Sequence, residues 1–409
     1  MDRRQQQHNA VARTSRRAQR KILAVAAASF LIVAATSGIG RAAEPPLKIG
    51  VIMTYSGPFA FNGRQADLGI ATYLKVHGDT IAGRKIEIVR KDDTGLRPDV
   101  AKREAQELVV QDHVAMILGG CWSPNALASV PVVNTAKVPF FILVAATPGI
   151  PQQSPYMIRL SLSLNVPSYI IGEWASAHGW KKGYNAVADY VLGTTAANAF
   201  TKGMAVHGGT IVGEVRMPVG NPDIMPYVQR IKNARPQVVQ LSVPIGFMSQ
   251  NFAKAFYEAG LQKDGIHLMT GDLSETQPTN TLGDYVNGVY TASFYVDDNP
   301  SPANQVYIKA FRAVTHSNKH PGFVALAAYD ALTTIRQVVE EQHGKVDPQR
   351  TMALLDNHQF VSPRGPIAFD NSGEIIENWY LRKAERVNGK MEMKLVKTFK
   401  MVHPPVLRH

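Results

Sequence analysis

Apolar residues along this chain fall into two alternating rhythms. LKIGVIM (47–53) is a nearly unbroken apolar run, as expected of a strand covered on both faces. RQADLGIATYLKVHG (64–78) has helical spacing and stops at Gly78. KIEIVRKD (85–92) alternates as a strand, and RPDVAKREAQELVVQD (97–112) gathers Ala101, Ala105, Leu108 and Val109 on one helix face. VAMILGG (114–120), NALASVPVVNTA (125–136) and PFFILVAA (139–146) then read as strand, helix and strand.

The pattern repeats further on. GYNAVADY (183–190), GTIVGEVRM (209–217), QVVQLSV (237–243) and GIHLMTG (265–271) read as strands. TAANAFTKGMAVHG (195–208), PDIMPYVQRIKNA (222–234) and MSQNFAKAFYEAG (248–260) read as the helices between them. Such alternation predicts parallel, doubly wound sheets, here in two α/β lobes of similar design. Two longer helical stretches follow, NQVYIKAFRAVTH (304–316) and ALAAYDALTTIRQVVEE (325–341). The texture then changes. PIAFDNSGEIIENWYLRK (366–383) and KMEMKLVKTFK (390–400) read as antiparallel strands with Ser-Gly and Asn-Gly turns. A chain that builds one lobe, builds a second and then returns twice predicts a multi-segment hinge with a cleft between the lobes.

The N-terminus has a different character. RTSRRAQRK (13–21) is basic, ILAVAAASFLIVAA (22–35) is apolar, and Gly40 and Ala42 are small residues placed for cleavage after Ala42. Residues 1–42 are therefore read as an export signal, and the rest as an exported protein. The apolar stretch is short for a membrane span. The formal charge of +12 is concentrated there: residues 1–42 hold eight Lys/Arg and one acid. The remainder carries 36 basic and 31 acidic side chains, no footprint for nucleic acid. A single cysteine, Cys121, forms no internal disulfide and reads as a buried thiol.

In open α/β sheets ligands sit beyond the carboxyl ends of strands. After VAMILGG comes Cys121-Trp122-Ser123-Pro124, where Ser123 is expected to cap a helix and Pro124 to occupy its first position. The start of that helix offers free N–H groups to a carboxylate. The next strand ends at Thr147-Pro148, a second hydroxyl-bearing corner on the same crevice. From the second lobe, strand ends deliver Asp189 and Tyr190, then Phe247, then Asp272, the one acid placed to meet a cation or hydroxyl. Each of these residues also has an ordinary structural use, in a turn, a cap or the core.

Enzyme signatures are poor. The chain has no GxSxG, HExxH, GxxxxGK[ST] or CxxC motif. His316 and His320 have a metal-compatible spacing but sit in a polar, Pro-containing loop. Neither a cofactor nor a metal site is expected. Catalysis by Cys121 or Ser123 would need a basic partner, and no His stands at another strand end.

IGVIMTYSGPFAFNGRQADLGI, GRKIEIVRKDDTGLRPDVAKREAQELV, ILGGCWSPNALASVPVV, AYDAL and SPRGPIAFDNSGE carry a family likeness. Taken together, they resemble the type I periplasmic binding proteins of ABC transporters, in the leucine/isoleucine/valine-binding branch. The resemblance implies two Rossmann-like lobes joined by a three-segment hinge, closing on a small ligand. It places one lobe at 47–160 plus 296–361 and the other at 161–295 plus 362–402. It implies that Ser123 and the strand end Ala145, Ala146 and Thr147 hold the ligand carboxylate, and that Asp272 meets its ammonium. It also implies a monomer that delivers its ligand to a membrane permease with its ATPase. Where that branch often has a tyrosine this chain has Leu192, with Tyr190 two residues earlier. Trp122, Phe61 and Phe247 add aromatic rings near the expected mouth. Two ligand classes therefore stay open: a branched-chain or other apolar amino acid, or an aromatic carboxylate. A sensory module of the same fold is a further alternative.

Overall fold

In the computed structural model, the described residues are 44–219, 222–244, 247–271, 282–318, 320–356 and 358–404. The export segment and Asp272 lie outside them. The rest of the chain from Pro46 forms one compact unit.

The first sheet is built from β1 (Leu47–Met53), β2 (Thr80–Ile81), β3 (Arg84–Asp92), β4 (Met116–Gly119), β5 (Phe140–Ile142) and β6 (Met157–Arg159). Its order is β2-β3-β1-β4-β5-β6. All pairs are parallel except the short β2 edge. Six of the seven β1 residues are buried, as an unbroken apolar run requires. Helices α1 (Phe61–His77), α2 (Pro98–Val110) and α3 (Ser123–Ala136) connect the strands.

The chain then crosses to a second sheet. Here α4 (Asn165–Ala177), β7 (Lys182–Ala188), α5 (Val191–Val206), β8 (Thr210–Met217), α6 (Met225–Ala234), β9 (Val238–Ser242), α7 (Phe247–Glu258), β10 (His267–Thr270) and β11 (Tyr290–Ser293) follow in turn. It returns to place α8 (Pro302–Thr315) and α9 (Phe323–Glu341) against α1, with α10 (Pro348–Leu355) on α9. A last crossing adds β12 (Gln359–Ser362), β13 (Gly365–Phe369), β14 (Ile375–Val387) and β15 (Lys390–Val402) to the second sheet. That sheet has the order β12-β13-β14-β11-β10-β9-β7-β8, and β15 pairs with β14. Two α/β lobes with mixed sheets, joined by connecting segments, are thus the architecture, as the alternation predicts.

Two buried arginines tie the crossings together. Arg364 is fully buried and pairs with Asp330 of α9 at 2.8 Å and Glu377 of β14 at 2.6 Å. It also donates to the carbonyl of Leu160, at the first crossing. Two carboxylates face one guanidinium away from water, so burial raises both acids, Glu377 to about 7. Arg159, at the end of β6, pairs with Glu374 at 2.7 Å, just before β14.

Candidate functional site

The carboxyl ends of β1, β4 and β5 converge on one corner. β4 ends in Gly119, and the next residue, Gly120, has φ 73°, a left-handed turn that bends the chain sharply toward α3. Ser123 does not cap this helix. Trp122 holds the cap position with extended backbone, Ser123 is the first helical residue and Pro124 the second. The Ser123 hydroxyl is instead taken up by the neighbouring strand end. Its Oγ accepts the Thr147 hydroxyl proton at 2.9 Å and, more weakly, the Thr147 N–H at 3.4 Å. In this arrangement Ser123 keeps its own proton for an acceptor outside the protein.

The three residues at the end of β5 are used unequally. Ala145 is buried, and its N–H donates to Gly120 while its carbonyl accepts from Arg159. The Thr147 carbonyl also accepts from Arg159, at 2.6 Å. The Ala146 carbonyl accepts from Leu164, whereas the Ala146 N–H has no partner among the described residues. The corner therefore offers an acceptor the Ala146 N–H, the Ser123 O–H and the unbonded first-turn N–H groups of α3. Arg159 fixes this geometry from behind, with Glu374 neutralising its charge.

Cys121 lies beneath this surface. It is 6% exposed, and burial pushes its thiol up to about 12. Such a thiol is inert at neutral pH. Beside it, the Trp122 indole N–H donates to Thr54 at 3.2 Å. Phe59 meets the indole edge-on, with centroids 4.7 Å apart at 90°. Phe59, which the sequence reading does not single out, is thus an aromatic partner of Trp122. Thr54 itself donates to Asp93 at 2.6 Å, and Asp93 accepts from Asn125 at 2.9 Å. Thr54, Phe59, Asp93 and Arg159 are not picked out as site residues by the sequence, although the first three lie inside stretches that carry the family likeness. Their one shared signal is position, at or near the end of a strand.

From the second lobe, Tyr190 stands at the cap position of α5 and is 40% exposed. Gly193 follows in the first turn of α5. A Cβ there would come within 1.9 Å of the Ala188 carbonyl, so only glycine lets α5 start so close to β7. Thr147 and Val191 line a common cavity of about 1110 Å³, together with Ser163, Asn165 and Glu374. Ser123 and Trp122 are not in its lining. Phe247 opens α7, but its side chain, like Asp272, lies outside the described residues. So the structure brings together Trp122, Ser123, Ala145, Ala146 and Thr147, with Tyr190 on the other lobe.

Among the described residues, no group of three or more His, Cys, Asp or Glu side chains could hold a metal ion. His316 follows the end of α8 with a left-handed backbone, while His320 is engaged by Asp297. No described helix is long and apolar enough to cross a membrane.

The sequence profile of periplasmic binding proteins matches residues 46–390. The chain belongs to the periplasmic binding protein family. The binding protein is 33% identical over 365 residues to "Leu/Ile/Val-binding protein homolog 6" of Brucella melitensis, covering 88% of this chain and 94% of that one. It is also similar to two crystallised ABC-transporter solute-binding proteins of Rhodopseudomonas palustris. One, in complex with 3,4-dihydroxy benzoic acid, is 38% identical, with a TM-score of 0.80 over 88% of this chain and 99% of that one. The other, in complex with p-hydroxybenzoic acid, is 33% identical, with a TM-score of 0.82 over 89% and 99%. The family is one of solute binders that work in the periplasm and carry out no catalysis.

Proposed function

We propose that this is the substrate-binding component of an ABC transporter, and that it captures an aromatic carboxylate of the hydroxybenzoate class between its lobes for delivery to the permease. The observation that carries this reading is the juxtaposition at the end of β4. A corner rich in hydrogen-bond donors, Ser123 and Ala146, adjoins a tethered aromatic wall, Trp122 against Phe59. A carboxylate on the first and a ring on the second need no ammonium partner. The two similar structures that carry hydroxybenzoates support the same choice over a branched-chain amino acid.

In this reading Ser123 and Ala146 grip the carboxylate, Thr147 orients the Ser123 hydroxyl, Ala145 shapes the corner, and Tyr190 and Phe247 close over the ring from the second lobe. The closing bodies are 47–160 plus 296–361 and 161–295 plus 362–402. Closure strengthens each donor by excluding water. A melting series of the protein lacking residues 1–42 tests the reading. At about a thousand times the dissociation constant, a ligand stabilises the fold by about 4 kcal/mol. 4-Hydroxybenzoate and 3,4-dihydroxybenzoate are expected to raise the melting temperature, and leucine at the same concentration is not. Stabilisation by leucine or isoleucine alone would overturn it.

A further inference from the structure

We infer that Thr54 and Asp93 are positioning residues for Trp122, and that this buried relay sets the preference of the site for a flat ring. The inference rests on the aromatic-carboxylate reading above and adds to it the source of selectivity.

Asp93 is fully buried, yet no cation pairs with it among the described residues. Its carboxylate is held by neutral donors alone: the Thr54 hydroxyl at 2.6 Å, the Gly95 N–H at 3.2 Å and the Asn125 amide at 2.9 Å. Such a group costs stability unless its hydrogen bonds are kept, so it acts as a demanding acceptor. Thr54, 1% exposed, has one hydroxyl proton, and Asp93 takes it. The remaining lone pairs of Thr54 can only accept: the Trp122 indole N–H donates to one at 3.2 Å, and the Cys121 thiol also bonds to Thr54.

Donation therefore runs one way, from indole to hydroxyl to buried acid. Trp122 is half-buried and immediately precedes Ser123, whose hydroxyl joins the corner offered to the carboxylate. One ring edge is fixed by Thr54 and Phe59 packs against the indole. A ring locked this way presents one plane at a fixed offset from the carboxylate corner. A planar ligand matches such a wall, whereas a puckered ring of the same size does not.

The test compares 4-hydroxybenzoate with trans-4-hydroxycyclohexanecarboxylate, which carry the same polar groups on a flat and a puckered ring. Calorimetric titration gives the affinity ratio for wild type and for Thr54→Val, Thr54→Ser and Trp122→Phe, with a melting curve for each. Wild type and Thr54→Ser, which retains the relay, are expected to prefer the flat ligand. Thr54→Val is expected to lose that preference by roughly tenfold. Should Thr54→Val fail to fold, Trp122→Phe carries the test, since it keeps an aromatic ring and an intact Thr54–Asp93 pair but has no N–H to tether. It too is expected to lose the preference. If a folded Thr54→Val, or Trp122→Phe, keeps the wild-type ratio, the relay is overturned while the aromatic reading stands. A wild-type protein that binds leucine and neither ring acid overturns the aromatic reading itself.

Discussion

Replacing Glu377 with glutamine should flatten the pH dependence of stability. Arg364, Asp330 and Glu377 are sealed from water at the junction of the lobes, with exposures of 0%, 1% and 1%. If both acids ionise, the group carries a net negative charge in a low-dielectric interior, so the folded protein holds on to a proton. Burial raises Glu377 from 4.5 to about 7. An acid raised on folding favours the folded state below its unfolded value, and that contribution disappears as pH climbs through the folded value. The gap corresponds to about 3 kcal/mol in all, of which roughly 2 to 3 kcal/mol falls between pH 5 and pH 8. Glu377→Gln keeps the shape and an oxygen for Arg364, leaves a one-to-one pair with Asp330, and removes the titration. Urea unfolding at pH 5, 6, 7 and 8 gives the two profiles. The wild type should lose stability relative to Glu377→Gln as pH rises, because histidines and surface acids are common to both. Parallel profiles would refute the assignment of the retained proton to this triad.

Four further outcomes follow from the geometry. Glu374→Gln leaves the buried Arg159 without a counter-charge and should cost about 3 to 5 kcal/mol in unfolding free energy. The double change Arg159→Met with Glu374→Leu should recover much of that stability yet leave ligand affinity weak, since the carbonyls of Ala145 and Thr147 lose their anchor. Gly193→Ala forces a Cβ toward the Ala188 carbonyl and should lower stability by about 1 to 3 kcal/mol, read from the same urea curves. Cys121, buried and pushed up to about 12, should resist a thiol reagent at pH 8 until urea unfolds the chain; fast labelling of the folded protein would contradict its placement.

Much of the architecture is legible in the sequence because the strands of two covered sheets must be apolar almost throughout. β1, β7 and β9 stand where the runs 47–53, 183–190 and 237–243 place them, within a residue or two. The hairpin of β14 and β15 turns at Asn388-Gly389 as its composition requires. α4 was not legible, since NVPSYIIGEWASA carries a proline and a glycine. Pro167 falls in the first turn, where its missing N–H is harmless. Gly172 faces the Phe200 carbonyl, where a Cβ would sit at 2.6 Å, so it serves close packing on α5. The reading of α5 starts late for the same kind of reason, with Gly193 inside the helix. β6 and β11, at three and four residues, are too short to show a period. At the site, the sequence points to the Ser123 and Thr147 corners through their place after apolar runs. It does not reveal that their hydroxyls pair, nor that Asp93 and Arg159 stand behind them, because those contacts join residues 24, 39 and 215 positions apart.

Arg159 and Glu374 have a consequence for any attempt to transplant this specificity. The residues that form the donor corner lie within 119–147, a segment that looks portable. Yet the carbonyls that set its shape are held by a guanidinium at the end of β6, and its counter-charge comes from the turn that leads into β14. A chimera that takes 119–147 from this chain into a relative would carry the hydroxyls and the tryptophan but leave their mooring behind. The smallest transferable unit reaches across both lobes, so the donor corner would have to be moved together with the buried ion pair that joins the two sheets.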